Sequence, residues 1–338
     1  MPRPGTTHAK RYRKGIGKAR RALAVLLVSP TLTVIALVVG YPVIAAIGDS
    51  VHAESTSLDA SGFVRRTEEF VGLRHYRDIL TGPASRRFWN AFTNTTFFTV
   101  STVVLEALLG VVLALAMHHT LRGRGIVRAG ILIPWAVPTV VSAVLWQWIF
   151  QADGIANDLI GREVLWTTDA FPAQFAVIVV DTWKTAPFVG LLVLAGLQLI
   201  PVEIYEAARV DGASHWQQFI RVTLPLVRPV LLLAVLFRLL DALRMFDLPY
   251  VLIGPRKDAV ETLTMVAFDE SVNSRYGVAA AYAILLFCYV AAVVFVFIRI
   301  LRVDVLGLHA PVRAPRPRRS GPRRRRRKHH NAGPGEGR

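Results

Sequence analysis

The placement of apolar residues constrains this chain more than any other feature. Six apolar blocks stand near residues 22–47, 91–117, 126–150, 174–199, 226–252 and 277–299. Each is long enough to cross a hydrocarbon core of about 30 Å, which takes about 20 residues of helix. Apolar residues make up 53% of the 338, against about 45–50% in a soluble domain; that excess decides little, and the blocks decide much. They predict an all-α polytopic membrane protein with six transmembrane helices.

Several blocks carry proline: Pro30, Pro134, Pro138, Pro187 and Pro229. Proline inside a spanning helix is tolerated where neighbouring helices or water take up the freed carbonyls, so a kinked bundle with a polar cavity is expected. The first block follows Arg20 and Arg21, as a signal peptide would. Its apolar core exceeds the usual 7–15 residues and five further spans follow, which favours a retained helix. The single cysteine, Cys288, lies in an apolar run and excludes a disulfide framework or a cysteine-based metal site.

The formal net charge is +17. In a soluble chain that would suggest nucleic acid; here orientation explains it first. An even number of spans puts both termini on one side, with residues 1–21, 118–128, 200–228 and 299–338, and these hold most of the 40 basic residues. That is the excess expected of cytoplasmic loops. Short loops agree: 118–128 has Arg122, Arg124 and Arg128 with no acid, whereas 151–173 has Asp153, Asp158, Glu163 and Asp169 against Arg162. The long loop 48–90, rich in Arg65, Arg66, Arg74, Arg77, Arg86 and Arg87, is a weak topological signal. The tails 1–21 and 301–338 are too basic and too poor in apolar residues to bury a core. The run Arg323 to Lys328 is a solvated topology signal or a binder of anionic lipid headgroups.

Residues 201–225 are the most informative stretch. Pro201 suits a first helical position, and Glu203 and Glu206 suit its positive end. Gly212 is placed to end that helix in a left-handed conformation. Ser214 followed by Gln217 forms a capping box that starts a second helix, and Pro225 starts the fifth span. Ile204, Ala208, Trp216, Phe219 and Ile220 share one apolar side. By pattern alone, this is either an amphipathic loop on lipid headgroups or a surface that another protein grips.

The same stretch resembles the EAA loop of ATP-binding-cassette import permeases. It carries Glu206-Ala207-Ala208, Gly212, Val222 and Leu224-Pro225 at that loop's spacing, with valine for isoleucine at Val222. Further segments resemble the carbohydrate branch of the family, among them Phe88-Trp89-Asn90-Ala91, Ile133-Pro134-Trp135, Trp183-Lys184, Leu194-Ala195-Gly196-Leu197 and Phe246-Asp247. Within that branch the chain looks like the first permease of a pair in maltose-, trehalose- or glycerol-phosphate-type importers. The resemblance implies a type I importer permease fold, with core 91–300, in a bacterial cytoplasmic membrane with both termini cytoplasmic. It implies a second homologous permease, two copies of a cytoplasmic ATPase, an extracytoplasmic solute-binding protein and a carbohydrate solute. It also implies that Glu206, Ala207, Ala208, Asp211, Gly212, Trp216, Leu224 and Pro225 form the coupling surface for that ATPase. No Gly-x-x-x-x-Gly-Lys-Ser/Thr pattern is present, so ATP and magnesium are expected on the partner and this chain is expected to be neither an enzyme nor a holder of a cofactor.

Ionisable residues inside spans usually face the bundle interior. The fifth block holds Arg238, Asp241, Arg244 and Asp247, spaced to pair along one helical face; the fourth holds Asp181 and Lys184; the second holds Glu106. They are either helix-packing ion pairs or a polar path for sugar hydroxyls. Trp146 and Trp183 are candidates to offer sugar rings an apolar face. His118 and His119 have no further ligands nearby in sequence for a metal. The competing readings are import of another solute, such as a polyol or sugar phosphate, and an ion-coupled secondary transporter.

Overall fold

The computed structural model describes residues 23, 25–58, 64–119 and 123–301. The basic tails and Arg122 lie outside the described residues. Among the described residues, five helices are individually long and apolar enough to cross a membrane: α1 (Val25–Ser50), α3 (Ser85–His119), α7 (Ala170–Leu197), α9 (His215–Ala242) and α12 (Tyr276–Leu301). The remaining expected span, 126–150, is two helices, α4 (Arg124–Ala136) and α5 (Thr139–Ile149), bent by 92°. Shorter helices are α2 (Arg74–Leu80), α6 (Ile155–Ile160), α8 (Val202–Val210), α10 (Asp247–Leu252) and α11 (Leu263–Val272). Loop 48–90, which gave no strand signal, contains an antiparallel hairpin, β1 (His52–Leu58) with β2 (Val64–Phe70), pairing His52 with Phe70.

Proline chemistry sets the breaks. Pro138 forces Val137 out of the helical region to ψ 133°, as expected of a residue before proline, and the third span turns there. The fifth span was expected to run on to residue 252, but α9 stops at Ala242. Pro249 cannot donate to the carbonyl four residues back, Met245 O; the Thr262 hydroxyl donates to that carbonyl instead, at 2.9 Å. The start also differs from expectation. Pro225 does not begin the span; α9 begins at His215 and passes through Phe219–Thr223 as a π-helical turn, with the Leu224 amide donating to Phe219 O. The same arrangement recurs in α1, where the π turn Ala36–Gly40 precedes Pro42 and the Tyr41 amide donates to Ala36 O. A wide turn relieves the crowding between a proline ring and the preceding helical turn.

The core has three parts. At one end Ile79, Phe88, Ala91, Leu263, Val266, Ala281 and Tyr282 join α2, α3, α11 and α12. In the middle Phe98, Ala143, Ala176, Val180, Leu248 and Leu252 join α3, α5, α7 and α10. At the other end Ala114, Met117, Val193, Leu197, Val227 and Ala234 join α3, α7 and α9. Thus α3 and α7 run parallel and α9 runs against them. Gly110 and Gly190 let α3 and α7 close up: a Cβ on Gly110 would stand 2.5 Å from Val189 Cγ1.

Candidate functional site

The side chains of greatest chemical interest gather where α3, α7 and α9 meet. Arg238 of α9 is buried, and its guanidinium reaches three carboxylates. Nε donates to Glu106 Oε2 at 2.5 Å, and Nη2 donates to Glu106 Oε1 at 2.9 Å and Asp181 Oδ2 at 3.0 Å. Nη1 donates to Asp241. Thr185 donates its hydroxyl to Glu106. Glu106 is fully buried and Asp181 nearly so, while the Asp241 side chain is exposed. The sequence spacing of Arg238 and Asp241 suggested pairing along one helical face, and that pair forms; the geometry adds Glu106 and Asp181, making a clamp across three helices centred on one arginine.

The clamp forms one wall of a polar cavity of about 140 Å³. Lys184, Arg244, Asp247, Thr139, Thr185 and Phe246 also line it. Of the expected path residues, Asp181, Arg238, Asp241, Arg244 and Asp247 therefore share one cavity. The expected ladder along the fifth span does not form beyond Asp241, because α9 ends at Ala242. Arg244 Nε donates to Leu240 O at 2.9 Å rather than to a carboxylate. Trp146 and Trp183 are not in this lining; they stack edge to face on each other at 5.5 Å, and Trp146 packs against the middle core. Thr139 and Phe246 went unforeseen. Thr139 follows the break at Pro138 and Phe246 precedes α10, so both reach the cavity only because helices stop there.

The second feature lies at the far end of α7 and α9. Pro201 stands just before α8, as its N-cap with ψ 140°, one residue earlier than its expected helical position. Gly212 has φ 77° and Ala213 N–H donates to Ala208 O at 2.9 Å, closing the helix as expected. The capping box is present in both directions: Ser214 N–H donates to Gln217 Oε1 at 2.9 Å, and Gln217 N–H to Ser214 Oγ at 3.3 Å. Glu206, Ala207, Asp211, Gly212, Leu224 and Pro225 are exposed, Ala208 is half-buried, and Trp216 is 68% exposed. Buried Gln218 anchors the turn by donating to Ala213 O at 2.8 Å, and Tyr205 shares a hydrogen bond with Thr223 at 3.3 Å.

A third charged group, at the opposite end, was missed. Arg87 forms a bidentate pair with Glu261, at 3.0 and 2.5 Å, and reaches Asp269 at 2.9 Å and Glu270 at 3.2 Å. Asn90 and Asn94 donate to Asp258 O at 2.6 and 2.7 Å. Burial opposes ionisation of Asp269, but hydrogen bonds from Arg256 and Arg87 outweigh it and hold its carboxyl below the usual range. Burial pushes Glu270 the other way, up, against Arg275 and Arg87. The only signal in the sequence was the adjacent Phe88-Trp89-Asn90-Ala91 segment. Among the described residues no cluster of histidine, cysteine and carboxylate side chains could hold a metal ion.

Residues 106–304 match the family described as binding-protein-dependent transport system inner membrane component. The trehalose/maltose transport system permease protein MalF of Thermococcus litoralis is 38% identical over 284 residues, covering 82% of this chain and 93% of that protein. The trehalose transport system permease protein SugA of Mycobacterium tuberculosis is 35% identical over 290 residues, covering 85% and 91%. Among solved structures, a chain of a bacterial alginate ABC transporter, crystallised with an alginate pentasaccharide-bound periplasmic protein, superposes with a TM-score of 0.72. It is 21% identical and covers 86% of this chain and 97% of its own, a likeness of fold.

Proposed function

The chain belongs to the family of binding-protein-dependent transport system inner membrane components, and from that premise we propose that it is the permease subunit of an ATP-binding-cassette importer for a carbohydrate. With a second permease it forms the translocation path. A solute-binding protein delivers the sugar on one side, and two copies of an ATPase drive transport from the other. The observation that carries this reading is the exposed loop from Pro201 to Pro225: it is capped on both sides of Gly212 and continues without a break into α9, whose Arg238 and Asp241 line the polar cavity. A push on Trp216 is therefore applied to the same helix that walls the cavity.

The family's membrane location, together with the arginines at 118–128 and the carboxylates at 151–173, supports an orientation with the coupling loop and both termini in the cytoplasm. The apolar outer face of α1, including Leu26, Leu37 and Ile44, then meets lipid. Trehalose and maltose, named for the relatives above, are the first solutes to try.

The test is uptake in proteoliposomes holding this chain, its partner permease, the ATPase and the binding protein. Labelled trehalose or maltose should accumulate only with internal ATP and external binding protein, and without an ion gradient. Uptake that follows a proton or sodium gradient and ignores ATP would replace this reading with ion-coupled transport.

A further inference from the structure

The cavity wall divides into groups that are already engaged and groups that are free. Arg238 is 3% exposed and spends four of its guanidinium N–H groups on Glu106, Asp181 and Asp241; a guanidinium has about five in all. Glu106 accepts from Arg238 and Thr185 and does not line the cavity. These groups have little left to offer a solute. Lys184 differs. It stands one turn beyond Asp181, is half-buried and lines the same cavity. Among the described residues no acceptor lies within hydrogen-bond distance of its ammonium. An ammonium at this depth in a spanning helix is costly unless water, a counter-charge or a solute meets it. Asp241 is tied to Arg238 through Oδ2, and its side chain is 70% exposed, so it keeps acceptor capacity toward the cavity.

Lys184, Arg238 and Arg244 face Asp181, Asp241 and Asp247 around this space. Equal numbers of the two charges favour a solute that both donates and accepts without carrying a net charge. A sugar hydroxyl does both: it accepts from an ammonium and donates to a carboxylate.

We propose that Lys184 and Asp241 are the wall groups that contact the hydroxyls of the solute, and that Arg238 is a positioning residue, which holds Asp181 and Asp241 in place without touching it. The assignment rests on the importer reading above. It reverses the first expectation for Arg238, which its place in the fifth span made a path residue.

The experiment uses the complete importer in proteoliposomes and separates KM from maximal rate. Lys184→Met and Asp241→Asn should each raise the uptake KM for trehalose or maltose by about tenfold or more, the loss of one charge-assisted hydrogen bond, with maximal rate falling much less. Arg238→Lys, which keeps a cation beside Asp181 and Asp241, should lower the amount of folded complex while leaving KM within about threefold of the parent. A tenfold KM rise in Arg238→Lys, matching Lys184→Met, overturns the positioning role. An unchanged KM in both Lys184→Met and Asp241→Asn overturns the contact assignment, and those two variants decide it even if Arg238→Lys does not assemble. Failure of the unmodified complex to take up any neutral sugar sinks the importer reading instead, and so the two failures are told apart before any variant is made.

Discussion

Truncating Arg238 strands Glu106 and Asp181, two carboxylates that have no other cation at ion-pair distance among the described residues. Breaking a buried pair by removing one partner costs about 3–5 kcal/mol. Arg238→Met should therefore lower the thermal unfolding temperature of the detergent-solubilised protein far more than Arg244→Met, whose guanidinium reaches only a backbone carbonyl. At Gly212 the cost is of another kind. A Cβ there meets nothing within 4 Å, yet φ is 77°, a region that costs other residues about 1–2 kcal/mol. Gly212→Arg should thus leave a folded bundle but a distorted, charged loop at the proposed ATPase contact. ATP-driven uptake is expected to fall to near background while the protein remains in the membrane, and normal uptake with normal ATPase association would remove the coupling role. The Gly212 turn and the Ser214–Gln217 box were legible because each is settled within a few residues. The partner of Arg238 was not, since Glu106 lies 132 residues away and no local rule reaches that far.

At the scale of elements, the sequence told where apolar helices lie but not where they break. Pro138 and Pro249 were visible as residues, and Pro30, Pro187 and Pro229 were equally visible in helices that continue. The proline alone does not decide: the carbonyl freed by Pro30 is met locally by the Ser29 hydroxyl, at 3.1 Å, whereas the one freed by Pro249 is met by Thr262, far along the chain. Thr262→Val keeps the shape and removes the donor. It should cost about 1–3 kcal/mol, the penalty for an unsatisfied buried group, read as a drop in unfolding temperature; no change would mean that water or another donor replaces the hydroxyl. The hairpin β1–β2 escaped notice for a similar reason, because its strands are polar and short of a core-facing pattern.

For the whole molecule, Arg87 ties the start of α3 to the segment before α12 across 174 residues of sequence. The contribution of Asp269 to that tie has a defined sign. Its carboxyl is held below the ordinary aspartate value of about 3.9 by Arg256 and Arg87 against burial. The stabilisation is therefore complete above that ordinary value and is lost as pH falls through the lower, folded value. Asp269→Asn should lower the unfolding temperature at neutral pH, and the gap to the parent should narrow on acidification. Orientation is testable on the same scale. In a Cys288→Ser background, a cysteine at Ala213 should react with an impermeant maleimide only from the cytoplasmic side, and one at Asp158 only from outside. The reverse pattern would invert the bundle and overturn the proposed contact between loop 201–225 and a cytoplasmic ATPase.

The π turn at Phe219–Thr223 has a consequence for the phase of the helix on either side of it. An α-helix advances about 100° per residue, and a π turn holds one extra residue without passing that advance on. The surface bearing Trp216 and the wall bearing Arg238 are thus kept in step by a single wide turn. Tightening it to α-helix at fixed sequence would rotate Trp216 by about a quarter turn relative to the bundle. Tightening it while deleting one residue would leave the two faces aligned. Length and hydrogen-bond pattern in these five residues are coupled: a one-residue deletion that tightens the turn keeps the angular register, and a change in either one alone shifts it.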